Sequence, residues 1–91
     1  MILLPTKRGE KALRKLDPPV RARALVALQA FVVDHTAPGL NFEQLEGTDG
    51  LHSIRINRNF RIILKQADVA NTFEVWAVGP HDIYRRLGGD D

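Results

Sequence analysis

Residues 51–65 read Leu51-His52-Ser53-Ile54-Arg55-Ile56-Asn57-Arg58-Asn59-Phe60-Arg61-Ile62-Ile63-Leu64-Lys65. Two alternating runs flank a polar turn. In the first, Ile54 and Ile56 fall on one side, with Ser53, Arg55 and Asn57 on the other. In the second, Phe60, Ile62 and Leu64 alternate with Arg61, Ile63 and Lys65. A period of two is the signature of a strand with two unlike faces. The stretch therefore predicts a hairpin, turned at Asn57-Arg58-Asn59, whose apolar side (Ile54, Ile56, Phe60, Ile62, Leu64) needs a second layer. Arg55 and Arg61 then share the opposite face on neighbouring strands. Two guanidiniums side by side call for an anion. Glu74 on a following strand would serve, and so would a phosphate gripped in bidentate fashion.

Downstream, Ala67–Asn71 reads as a turn and Thr72–Val78 as a third strand, closed by Gly79-Pro80. Trp76 shares its phase with Glu74 and Val78 and reads either as core or as a stacking surface. Upstream, 34–50 reads as a connection with a Pro38-Gly39 turn, tacked to the core by Leu40, Phe42 and Leu45. Before it lie two helical segments. Thr6 is placed to cap a helix from Lys7, with Ala12, Leu13 and Leu16 on its apolar side. Asp17-Pro18-Pro19 divides the two, Asp17 as cap and Pro18 at the first helical position. From Val20 to Val33 an apolar stripe of Ala24, Leu25, Leu28, Phe31 and Val32 is expected, with Arg21 and Arg23 near its margins. Ile2-Leu3-Leu4, ended by Pro5, reads as an edge strand. His81–Leu87 reads as a last turn or short helix, and 88–91 as a frayed tail.

The expected fold is α+β in two layers: an N-terminal helical hairpin on a small, mainly antiparallel sheet. The chain of 91 residues is read as one domain, 1–91, too short for two. Without cysteine it has no disulfide and no thiolate metal site. No apolar run approaches the roughly 20 residues of a membrane span, and the first residues make a poor signal peptide, so a cytoplasmic protein is expected.

The net charge of +2 conceals segregation. Residues 1–33 carry +5, 34–50 carry −4, 51–65 carry +4 and 66–91 carry −3. Two basic segments in so small a body can form one positive face toward a phosphate backbone or an acidic protein segment; equally, they are solvated surfaces balanced by the acidic connection.

His81 and Tyr84 follow the third strand and, on a helical turn, share a side. A His, a Tyr and paired arginines make a possible metal-free site for phosphodiester cleavage, because RNA carries its own nucleophile in the 2′-hydroxyl. The plainer readings stand beside this one: His81-Asp82 as a hydrogen-bonded corner, Tyr84 as packing, and Arg61 as the ion-pair partner of Glu74. His35, read as a solvent-exposed loop residue, and His52 match no metal-ligand spacing. No cofactor is expected.

The segments Leu40–Leu45, Gly50–Asn57, Phe60–Leu64 and Val78–Arg85, in that order, resemble the RelE/ParE toxin superfamily of bacterial toxin–antitoxin modules; the Ser-Ile-Arg-Ile-Asn strand is similar to HigB-type members. The resemblance spans about residues 2–87. It implies a small toxin that cleaves mRNA at the ribosome, or in the ParE branch inhibits DNA gyrase, neutralised by a cognate antitoxin. By the same resemblance, Arg55, Arg61, His81 and Tyr84 match catalytic positions of the ribonuclease branch, and Arg58, Lys65 and Arg85 would bind substrate. Ser53 stands where some ribonuclease members carry a lysine. Glu46 and Asp49 are the local candidates for a carboxylate base. In the gyrase branch the helical hairpin would carry binding instead.

Overall fold

The hairpin closes as expected. Asn57 Oδ1 accepts from the backbone N–H of Asn59 at 2.8 Å and of Phe60 at 2.9 Å, which fixes the turn. The computed structural model describes residues 1–80 and 82–83. Its elements in order are β1 (Ile2–Leu4), α1 (Lys7–Arg14), α2 (Pro18–Val33), β2 (Glu43–Gln44), β3 (Leu51–Arg55), β4 (Phe60–Gln66) and β5 (Thr72–Pro80). The two-layer α+β expectation holds. One five-stranded sheet runs β1-β5-β4-β3-β2, antiparallel throughout except for β1, which lies parallel to β5 at one edge.

Thr6 Oγ1 accepts from Gly9 N–H at 3.0 Å and caps α1. Asp17 makes no such side-chain bond; Pro18 and Pro19 start α2 by their fixed φ alone. Arg21, placed by sequence at a margin of α2, turns back to close α1. Its Nε donates to Leu13 O, and its Nη2 to Arg14 O and Leu16 O, serving carbonyls that a helix end leaves open.

The main core lies between helices and sheet. Ala24, Ala27, Leu28 and Phe31 of α2 meet Ile54, Ile62, Leu64, Phe73 and Val75, with Leu40 from the connection. Aromatic rings organise its centre: Phe31 lies 5.2 Å from Phe42 and 5.5 Å from Phe73. His52 stacks on Phe42 at 5.2 Å, and half-buried His35 meets the same ring edge-on at 5.6 Å rather than standing in solvent. The stripe expected on α2 needs correction: Leu25 and Val32 are exposed, and Ala27 takes the buried place.

α1 crosses β5 closely enough that Gly9 is required there. A Cβ at this position would stand 2.9 Å from Val75 Cβ and 3.2 Å from Val75 O. Gly9→Ala should therefore lower stability by about 1–2 kcal/mol in urea unfolding, because overpacking outweighs the roughly 1 kcal/mol of helix propensity gained.

Candidate nucleic-acid interface

The sheet's other face is built row by row from strand register. In one row Glu43 of β2 pairs with Ser53 of β3, Ser53 with Ile63 of β4, and Ile63 with Ala77 of β5. In the next, Arg55 pairs with Arg61 and Arg61 with Gly79. The two arginines are thus direct cross-strand neighbours on the face away from the helices, as the alternation requires.

The anion beside Arg61 is not Glu74. Glu74 stands in register with Lys65, at the far end of β4. Arg61 Nη1 donates instead to Glu43 Oε1 at 3.5 Å and to Ser53 Oγ at 3.3 Å. The Arg61 side chain is 17% exposed and that of Glu43 57%. Both contacts use Nη1 alone. Among the described residues Nε and Nη2 of Arg61 donate to nothing, and no buried side-chain nitrogen or oxygen is left unsatisfied. The guanidinium is anchored at one corner while the rest of its fork faces solvent, so it can grip a planar or tetrahedral oxyanion without first breaking a strong ion pair.

Glu43 escaped the sequence reading because two residues of β2, inside an acidic connection, show no alternation. The available signal was Glu43's position just ahead of Leu45, a residue expected to touch the core. Glu46 and Asp49, the expected local carboxylates, lie in the β2–β3 turn. They are not the acidic partner that contacts Arg61.

The open face also has its own small core. Ile63, expected on the outer side, is wholly buried with Leu45 and Leu51, and Trp76, Ala77 and Ile83 pack against them. A β-bulge makes this possible. Leu64 pairs with Val75 and Ile63 with Ala77, so Trp76 is an extra residue on β5. The bulge keeps Trp76 and Ala77 on the open side and returns Val78 to the helix side, breaking the shared phase expected for Glu74, Trp76 and Val78. The indole is half-buried, with Lys65 Nζ 4.3 Å and the Arg8 guanidinium 3.7 Å from its ring centroid. Arg8 Nε also donates to Trp76 O at 2.7 Å. It thereby covers a carbonyl at the edge of β5 that β1, pairing only as far as Glu74, leaves open.

A groove of about 460 Å³ runs between that edge and α1, lined by Arg8, Lys11, Lys15, Phe60, Trp76 and Pro80 among others. Arg58 is exposed in the hairpin turn. The face therefore presents Arg55, Arg61 and Lys65 in a short span, with the α1 cations around its edge. His81, Tyr84 and Arg85 lie outside the described residues. Among the described residues no three His, Asp or Glu side chains group as metal ligands, and no helix is long and apolar enough to cross a membrane.

No protein-family profile matches the sequence, and no curated protein matches it. Solved structures do resemble the fold. A YoeB/ParE toxin from Agrobacterium tumefaciens superposes with a TM-score of 0.67 at 19% identity, over 89% of this chain and 99% of that one. A chain of an archaeal RelE–RelB complex from Pyrococcus horikoshii gives 0.66 at 19% identity, over 89% and 94%. One from the RelB–RelE antitoxin–toxin complex of Methanococcus jannaschii gives 0.63 at 17%, over 92% and 95%. The chain has the RelE/ParE toxin fold.

Proposed function

We propose that this protein is the toxin of a toxin–antitoxin pair and an endoribonuclease that cleaves mRNA at the ribosome, with arginines answering the charge of the scissile phosphate. The observation that carries the reading is Arg61, half-anchored on the open sheet face beside Arg55 with Nε and Nη2 directed to solvent.

Cleavage needs a proton taken from a 2′-hydroxyl and a proton given to the departing 5′-oxygen. The 2′-oxygen attacks the adjacent phosphorus, the bond from phosphorus to O5′ breaks, and the products are a 2′,3′-cyclic phosphate and a free 5′-hydroxyl. Glu43, next to Arg61, is positioned to take the first proton. His81 is assigned the second transfer and Tyr84 the positioning of the flipped-out nucleotide. Arg55 and Arg61 stabilise the charge gathering on the phosphorane. Arg58, Lys65 and Arg85 hold flanking phosphates. A neutralising antitoxin would bring acidic and apolar side chains to this basic face and to the groove along α1.

Induction in a bacterial host, followed by mapping of RNA 5′ ends, tests the reading. New 5′-hydroxyl ends inside translated messages are expected. In single-turnover cleavage on programmed ribosomes, Glu43→Gln should lower the rate roughly 100-fold or more. Growth arrest with intact messages would overturn the endonuclease in favour of gyrase inhibition. Healthy cells with intact RNA would leave a binding protein on a toxin fold.

A further inference from the structure

α2 is apolar on both sides. Its inner side packs on the sheet, yet its outer side carries Ala22, Leu25, Val26, Val32 and Val33, with Gln29 as the one polar residue among them. Leu25 is 52% exposed, Val26 65% and Val33 83%. A surface helix ordinarily turns a polar face outward, and a helix apolar all round is one that is covered all round.

The ends of the stripe say what covers it. Arg23 stands at its beginning and Asp34 at the C-cap, about three turns on along the same flank. Neither has an ion-pair partner among the described residues. Asp34 Oδ1 accepts from Thr36 N–H and Oγ1, leaving Oδ2 uncommitted. Two copies laid antiparallel about a twofold axis would set Val33 over Ala22 and Val26 beside Gln29. The same operation brings Arg23 of each copy to Asp34 of the other, forming the charge pair twice.

We propose that the protein self-associates through the outer face of α2 into an antiparallel helix-to-helix homodimer. An acidic antitoxin is a poorer fit, because the stripe is uncharged and lies on the far side of the helix layer from Arg55 and Arg61. A lipid surface is a poorer fit too, since the stripe is flanked by an acid as well as a base. The contact is about 18 Å long. It falls short of the roughly 800 Å² per partner of a standard interface, so dissociation in the range of tens of micromolar is expected. The inference is independent of the proposed cleavage.

Sedimentation equilibrium of the full chain from about 1 to 300 µM is the test. The expected mass rises from one chain to two. V26K/V33K, altering only exposed positions, should stay monomeric with an unchanged circular dichroism spectrum. R23E and D34R should each weaken the dimer several-fold, and the R23E/D34R double variant should restore it. A single-chain mass for the unaltered protein across the range overturns the proposal. So does a dimer indifferent to V26K/V33K, which would place the contact elsewhere. A monomer that co-sediments with phosphatidylcholine/phosphatidylglycerol vesicles would assign the stripe to lipid and overturn it as well.

Discussion

Arg61→Ala should lower the single-turnover cleavage rate by roughly 100- to 1,000-fold, the range seen when a preorganised donor to a developing oxyanion is removed. Induced cells carrying the variant should keep their messages whole and continue to grow. Arg61→Lys should recover only a small part of the rate. It preserves the charge but not the fork, which is anchored at Nη1 on Ser53 and Glu43 while Nε and Nη2 remain for the phosphate. Stability is the control. Glu43 is more than half exposed and its contact with Arg61 is long, so losing the pair should cost about 1 kcal/mol or less. A variant that stays folded and still cleaves at the full rate would remove Arg61 from the reaction.

The largest stability effect is expected at Phe31. Its side chain is wholly buried, and its ring touches both Phe42, which tethers the connection after α2, and Phe73 of β5. Phe31→Ala should cost about 3–5 kcal/mol, through lost transfer energy and a cavity that three separate elements cannot collapse to fill. Domains of this size are commonly stable by about 5–15 kcal/mol, so the variant should melt some 15 °C or more below the parent. Urea unfolding, with V33A on the exposed side of the same helix as comparison, measures it. V33A should be within about 0.5 kcal/mol of the parent. Equal losses at the two positions would mean that the helix is packed the other way round.

Much of this was legible in local pattern. The period-two runs around Asn57-Arg58-Asn59 placed Arg55 and Arg61 on one face, because a strand alternates its side chains whatever lies beyond it. Thr6, Pro18 and Pro19 marked the helix starts because capping and fixed φ act within a turn of the chain. The resemblance to RelE/ParE toxins rested on short motifs in order, and the fold agrees with it.

Other features have no local cause. β2 is two residues long, and Glu43 becomes a strand residue only because Ser53 is there to pair with it. That pairing selects Glu43 over Glu74 as the neighbour of Arg61. The bulge at Trp76 arises from a mismatch between two strands, neither of which announces it alone, and it decides on which face the indole lies. α2 makes the same point from the helix side. Its sequence is apolar around the whole circumference, so periodicity cannot choose an inner face; contact with the sheet selects Ala27 and leaves Leu25 and Val32 outside. Alternation, caps and turns are set by a residue and its near neighbours, and they established the elements and the arginine face. Which carboxylate meets Arg61, which side of α2 is buried and where Trp76 points depend on register between distant segments, which exists only once the layers have packed.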